Sequence, residues 1–265
     1  MYLHYWGFTR PPFDDAPNPY FMFYTPEHER VLSGILSALA QNRGAIALTG
    51  EPGCGKTIIG RVIIQHLAAR QKIKCTALVV NPALESTEFL GELLYQCGLY
   101  STSRSREELL GKINEQLLEN AKDGRNSTLI IDEAQAIPKE GFETINALLD
   151  FQRDGRRLVN ILMMGLPEFS TAILENPRLD ERIAVRYHLG PLDGENTAKY
   201  IRFRLAKAET DKHIFSDESL EKIYRHSGGI PRKINNICDL ALVIGCEKKS
   251  ATIDKEIVAE AARTT

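Results

Sequence analysis

Apolar residues recur along this chain at two alternating periods. Over 27–40 they fall at Val31, Leu32, Ile35, Leu36 and Leu39, a single helical stripe. A short continuous apolar run follows at 45–48, as in a buried strand. The alternation then repeats. Residues 57–69 predict a helix with Ile59, Val62, Ile63 and Leu67 inward, and 74–80 a strand. Ser86 is placed to cap a helix carrying Phe89, Leu90, Leu93 and Leu94. Ser105 and Glu108 have the spacing of a capping box, opening a helix that runs through Leu118. Further strands are predicted at 128–131, 159–164 and 185–189, with helices at 140–151 and 168–175 between them. Strands alternating with helices predict an α/β fold built on a parallel, three-layer αβα sheet.

After Pro191 the pattern changes. Residues 195–207, 217–225, 232–247 and 254–262 all read as helices, and no strand of comparable strength follows. The first 26 residues differ again, with Tyr2, Tyr5, Trp6, Phe8, Phe13, Tyr20, Phe21, Phe23 and Tyr24 among Pro11, Pro12, Pro17, Pro19 and Pro26. Prolines disfavour regular elements, and the aromatics supply apolar area for docking. This segment reads as a strap over apolar surface, with the alternative that part of it also walls a ligand pocket. The expected division is a strap at 1–26, an α/β core at 27–192 and a helical domain at 193–265.

Composition narrows the function without choosing it. The chain has 265 residues, 43% of them hydrophobic and 26% charged, an ordinary globular balance. Its 33 Lys and Arg against 35 Asp and Glu leave a net charge of -2, which excludes binding by bulk positive charge but not by a local basic stripe. No apolar run reaches membrane-spanning length, so insertion by this chain itself is not expected. The start, MYLHYWGFTRPPF, has no signal-peptide pattern. Five scattered cysteines (Cys54, Cys75, Cys97, Cys238, Cys246) contain no CxxC pair. A reduced, cytoplasmic chain without a thiolate metal site is the expectation.

The chemistry concentrates at Gly50-Glu51-Pro52-Gly53-Cys54-Gly55-Lys56-Thr57, which fits GxxxxGK[ST] between a predicted strand and a predicted helix. Glycines let successive backbone N–H groups turn toward phosphate oxygens, and the helix start that follows, with Ile58, adds its dipole. Lys56 is placed for the β- and γ-phosphates of ATP and the Thr57 hydroxyl for Mg²⁺. The partner signal is Thr128-Leu129-Ile130-Ile131-Asp132-Glu133-Ala134-Gln135. An apolar strand delivers Asp132 to its C-terminal end, where it is placed to hold Mg²⁺, with Glu133 beside it to polarise the attacking water.

These motifs, with Tyr5, Phe8, Pro12-Phe13, His28, Gly165-Leu166-Pro167-Glu168, Arg182-Ile183, Tyr187-His188-Leu189, Tyr200 to Leu205 and Gly229-Ile230-Pro231-Arg232, resemble AAA+ ATPases of the general secretion pathway protein A (ExeA-like) type. The resemblance spans almost the whole chain. It implies a P-loop NTPase of AAA+ type whose C-terminal helices form a lid. It makes Arg232 the sensor 2 arginine and Arg182 the arginine finger reaching a neighbour's site, with Arg178 the nearby alternative. It sets Gln135 to relay nucleotide state. It also exposes a departure, because the family has Gly-Gln-Pro-Glu-Leu where this chain has Gly165-Leu166-Pro167-Glu168-Phe169. Leu166 has no polar group for a sensor 1 role, and Asn160 stands at the wrong end of the strand to replace it.

The function that follows is Mg²⁺-dependent ATP hydrolysis driving self-association through the nucleotide site. Its implied output is assembly or remodelling of a type II secretion or pilus complex, with recruitment to the inner membrane through a partner. Family members often continue into a membrane segment and a periplasmic domain, so the chain is expected to be a short member or the cytoplasmic part of a longer one. The alternative is a DNA-associated AAA+ regulator resembling transposition target-selection ATPases. It rests on Arg153, Arg156 and Arg157 and on Lys199, Arg202, Arg204 and Lys207. A third reading is an ATP-bound scaffold with little turnover, motivated by Leu166.

Overall fold

The computed structural model describes residues 2–69, 73–210 and 212–264, and at 73–76 the backbone alone. The elements run α1 (Tyr2–Trp6), a 3-10 turn (Pro19–Phe21), α2 (Pro26–Ala40), β1 (Ala45–Gly50), α3 (Lys56–Ala69), β2 (Ile73–Val79), α4 (Ser86–Gln96), α5 (Arg106–Lys122), β3 (Asn126–Ile131) and a second 3-10 turn (Ala134–Ala136). They continue with α6 (Lys139–Leu149), β4 (Gln152–Arg153), β5 (Arg156–Arg157), β6 (Val159–Gly165), α7 (Glu168–Leu174), α8 (Pro177–Asp180), β7 (Ile183–Leu189), α9 (Gly194–Lys207), α10 (Asp217–Ser227), α11 (Pro231–Glu247) and α12 (Lys255–Thr264).

The chain forms two compact units. One comprises Pro26–Gly50 and Lys56–Leu189, and the other Met1–Thr25, Glu51–Gly55 and Gly190–Thr265. The first is built on a five-stranded sheet in the order β2-β3-β6-β1-β7, with every neighbouring pair parallel. Central strands β1 and β6 are buried along their whole length, which is why they read as continuous apolar runs, whereas edge strand β7 alternates. Leu90, Leu94 and Leu109 from α4 and α5 join Leu129 and Ile131 of β3 and Ile145 and Leu148 of α6 in one core. Because all strands run the same way, Gly50, Val79, Ile131 and Gly165 end on one edge of the sheet.

Local details correct the sequence reading. Glu85, not Ser86, holds the N-cap of α4, and Glu88 Oε2 accepts its N–H at 3.4 Å. The Ser86 hydroxyl instead accepts from Thr144 Oγ1 of α6 at 3.0 Å. Ser105 does cap α5, accepting the Glu108 N–H at 3.3 Å. Unforeseen were α8 and the hairpin of β4 and β5, which turns at Asp154 and Gly155, both at positive φ. Cys54, Cys238 and Cys246 are free thiols, but Cys97 is disulfide-bonded, against the expectation of a fully reduced chain.

The helical unit gathers α9 through α12 around Ile201, Ile223, Ile237 and Leu242, and the N-terminal residues Trp6, Phe8 and Phe13 belong to that same core. The prolines begin only at Pro11, which leaves Tyr2–Trp6 free to be helical and to seat Trp6, whose Nε1 donates to Leu242 O at 3.0 Å. Arg204 of α9 is only 4% exposed. Its guanidinium donates to the carbonyls of Pro12 and, at 2.8 Å, of Asp14, and it lies 4.4 Å from the Phe21 ring centre. The expected basic face of α9 is therefore broken up. Lys199 pairs with Glu195, Arg202 pairs with Asp217, and Lys207 stands over Tyr20.

Candidate nucleotide site

In the sheet unit, β1 delivers Gly50 beside β7, so closely that a Cβ at Gly50 would lie 2.5 Å from Leu189 O. Lys56, the first residue of α3, is buried and its Nζ donates to Gly50 O at 2.7 Å. The buried ammonium is thus folded back toward the end of β1, where the phosphate motif begins. The next residue, Thr57, donates its hydroxyl to Asp132 Oδ2 at 2.6 Å. Asp132 is 2% exposed, and its backbone N–H is fixed by Val79 O of the neighbouring strand at 2.9 Å.

Beyond Asp132 the chain turns sharply. Glu133 has φ of +53°, the left-handed region that side chains other than glycine rarely adopt. Its N–H donates to Asp132 Oδ1 at 3.0 Å, and its own carbonyl accepts from Ala136 at 2.8 Å. The tight turn leaves Glu133 exposed and directs Gln135 inward. Gln135 Nε2 donates to Glu133 Oε2 at 2.6 Å, and Gln135 Oε1 accepts the Leu166 N–H at 3.0 Å. The leucine substitution is thereby accompanied by an amide bridge that sequence reading did not foresee. Asn160 is occupied at the opposite edge, where it accepts from Gly44 N and donates to Leu39 O.

In the helical unit, Glu51–Gly55 carries Gly53 at φ +83° and Gly55 at φ +99°. Side chains rarely adopt these angles, which is the local reason for the glycine pattern. Gly53 is also crowded, since a Cβ there would approach Arg232 Cβ to 2.7 Å. Arg232, near the start of α11, donates its backbone N–H to Gly53 O at 3.3 Å. The loop and the sensor 2 candidate are therefore neighbours.

Arg182 is less free than an arginine finger expectation requires. Its guanidinium donates to Asn146 O at 2.9 Å and pairs with Asp150, at the end of α6. Arg178 pairs with the other oxygen of Asp150 at 2.6 Å. Both candidates converge on one carboxylate, a partner that the sequence motif gave no sign of.

Mg²⁺ takes hard oxygen donors and leaves most of its shell to phosphates and water. The Thr57 hydroxyl and Asp132 carboxylate, brought together at 2.6 Å, are that kind of donor set. A group of three or more His, Cys, Asp or Glu able to hold a metal does not occur among the described residues.

A strand-to-loop-to-helix phosphate motif, an acidic strand end beside it and a parallel sheet accompanied by C-terminal helices define a P-loop NTPase of AAA+ type. The model of the AAA domain family matches residues 39–173, and the chain belongs to that family. General secretion pathway protein A of Aeromonas hydrophila is 34% identical over 257 residues, 96% of this chain but 46% of that protein. The chain thus spans less than half the length of this curated relative. Among solved structures, Cdc6p from Pyrobaculum aerophilum matches with a TM-score of 0.78 at 18% identity, over 96% of this chain and 70% of that one. The ORC1 protein of Aeropyrum pernix, solved in complex with DNA, matches with a TM-score of 0.75 at 16% identity, covering 96% and 69%. The AAA+ fold and the relationship to general secretion pathway protein A are therefore established. No described helix is long and apolar enough to cross a membrane.

Proposed function

We propose that this chain hydrolyses ATP to ADP and phosphate at the segment Gly50 to Ile58 and uses the nucleotide to drive self-association. The observation that carries the reading is the 2.6 Å contact of Thr57 with Asp132 beside the buried Lys56. Gly50, Glu51, Pro52, Gly53, Cys54, Gly55 and Ile58 supply the loop around the phosphates, and Lys56 offsets their charge. Thr57 and Asp132 would hold Mg²⁺, which neutralises phosphate charge when bound. Glu133 orients the attacking water and takes its proton. Arg232 is given the sensor 2 role and Arg182 the arginine-finger role toward an adjacent copy, as the family resemblance implies.

K56A is expected to abolish nucleotide binding, and E133Q to bind ATP while turnover falls by about 100-fold or more. Steady-state hydrolysis and binding of a fluorescent ATP analogue measure both. Wild-type turnover by E133Q would overturn the base assignment.

The DNA-associated output has the broader support. Similar folds occur in ORC and Cdc6 proteins, the Aeropyrum pernix ORC1 protein among them solved in complex with DNA, and the β4–β5 hairpin exposes Arg153 and Arg156 on the N-terminal edge of the sheet. That edge lies opposite the one bearing Asp132, so phosphates gripped there would be separate from those of ATP. Secretion or pilus assembly is supported by the 34% identity to general secretion pathway protein A. Stimulation of the ATPase by duplex DNA favours the first output, and indifference to DNA favours the second.

A further inference from the structure

Most exposed glutamates are free to sample several rotamers, and a water-activating carboxylate cannot work that way. Glu133 is exposed, yet its carboxylate is held by Gln135 Nε2 at 2.6 Å. The same amide reaches through its oxygen to the Leu166 N–H at 3.0 Å, in the turn that follows β6. The surroundings leave room for it. Gly165 lacks a Cβ, and one placed there would stand 3.1 Å from Gln135 Oε1 and 2.9 Å from Phe169 Cβ. The backbone of Glu133 is held in a left-handed turn whose closing bond, Ala136 N–H to Glu133 O, sets Gln135 at the distance its side chain needs.

We propose that Gln135 is the positioning residue for Glu133. It ties the water-activating carboxylate to the turn after β6, at Leu166. The group read at that position is the backbone N–H, which leucine supplies as well as any residue. Movement of the β6 turn is thereby transmitted to Glu133 through one amide, and the nucleotide-binding groups Lys56 and Thr57 have no part in the link. The inference rests on the hydrolytic reading of Glu133 given above.

Two variants separate the halves of the bridge. Q135A removes both bonds. Q135E keeps an oxygen for the Leu166 N–H but sets a second carboxylate against Glu133. Both are expected to lower kcat by about 10-fold or more, within the range that a general base contributes, while affinity for a fluorescent ATP analogue stays within about 2-fold. In single-turnover measurements, Q135A added to E133Q should cost nothing further, because a positioning residue has no effect without the group it positions. A Q135A enzyme that hydrolyses ATP at the wild-type rate overturns the inference. So does a Q135A loss that multiplies undiminished onto E133Q, which would mark a separate structural defect. If E133Q itself turns over normally, the base assignment falls first and the inference with it. If E133Q is inactive and Q135A is not, only the inference falls.

Discussion

His28 and Arg204 show how much depends on single polar side chains in apolar settings. Burial pushes the His28 imidazole down to about 4 from its ordinary 6.5. A neutral imidazole is therefore folded in, while the unfolded chain takes up a proton below pH 6.5. The resulting stabilisation is complete above pH 6.5 and is lost as pH falls toward 4, by up to about 3 kcal/mol. Urea denaturation at pH 7 and pH 4.5 should show this loss, and H28Q should reduce the difference. An H28Q protein with the same pH dependence would remove His28 as its source. Arg204 holds two backbone carbonyls from a site that is almost wholly enclosed. R204A should lower stability by about 2–4 kcal/mol in the same assay, with little rescue by R204K, whose ammonium cannot reproduce the planar fork. From the sequence Arg204 belonged to a run of basic residues on a helix face. Its partners come from Pro12 and Asp14, and contacts of such separation leave no periodic trace. Lys56, Thr57 and Asp132 were legible because their motif fixes the local spacing. The amide bridge of Gln135 was not, because it depends on where the end of β6 falls.

At the scale of elements, long periodic segments were legible and short ones were not. The stripe at Val31, Leu32, Ile35, Leu36 and Leu39 became α2, with all but the half-buried Leu36 fully buried. The apolar runs became β1 and β6 at the sheet centre because burial on both faces demands that pattern. By contrast, β4 and β5 span two residues each and have no face to bury, so the arginines that form them read only as charge. The hairpin is nevertheless well specified. Arg157 turns back to the sheet and donates to Arg43 O at 3.1 Å, passing so near Gly44 that a Cβ there would meet its side chain at 2.8 Å. Arg153 and Arg156 are left outward. If DNA is the partner, R153A/R156A should weaken binding to duplexes of any sequence and reduce the slope of log K against log salt by up to about 2. Filter binding across a salt series measures this, and an unchanged slope would remove the hairpin from the interface.

For the whole molecule, the proposed self-association is what would link the parts. Arg182 is held by Asp150 within its own chain, so service to a neighbour requires exchange of one carboxylate for phosphate. The two functional lesions should then complement each other. R182A retains Glu133, and E133Q retains Arg182. Mixed after separate purification, the two inactive proteins should regain ATPase activity at junctions where an intact base meets an intact arginine. A mixture as inactive as its components would rule out Arg182 acting between copies.

The seating of the first residues carries a different implication. Trp6, Phe8 and Phe13 fill the middle of the helical unit, and Arg204 grips the backbone just beyond them. In recognition terms, α9 through α12 are a receptor for an aromatic peptide, and the ligand is permanently tethered at high effective concentration. Cutting that tether would turn a folding contact into a binding equilibrium, one that a peptide of the same sequence, supplied free, could titrate.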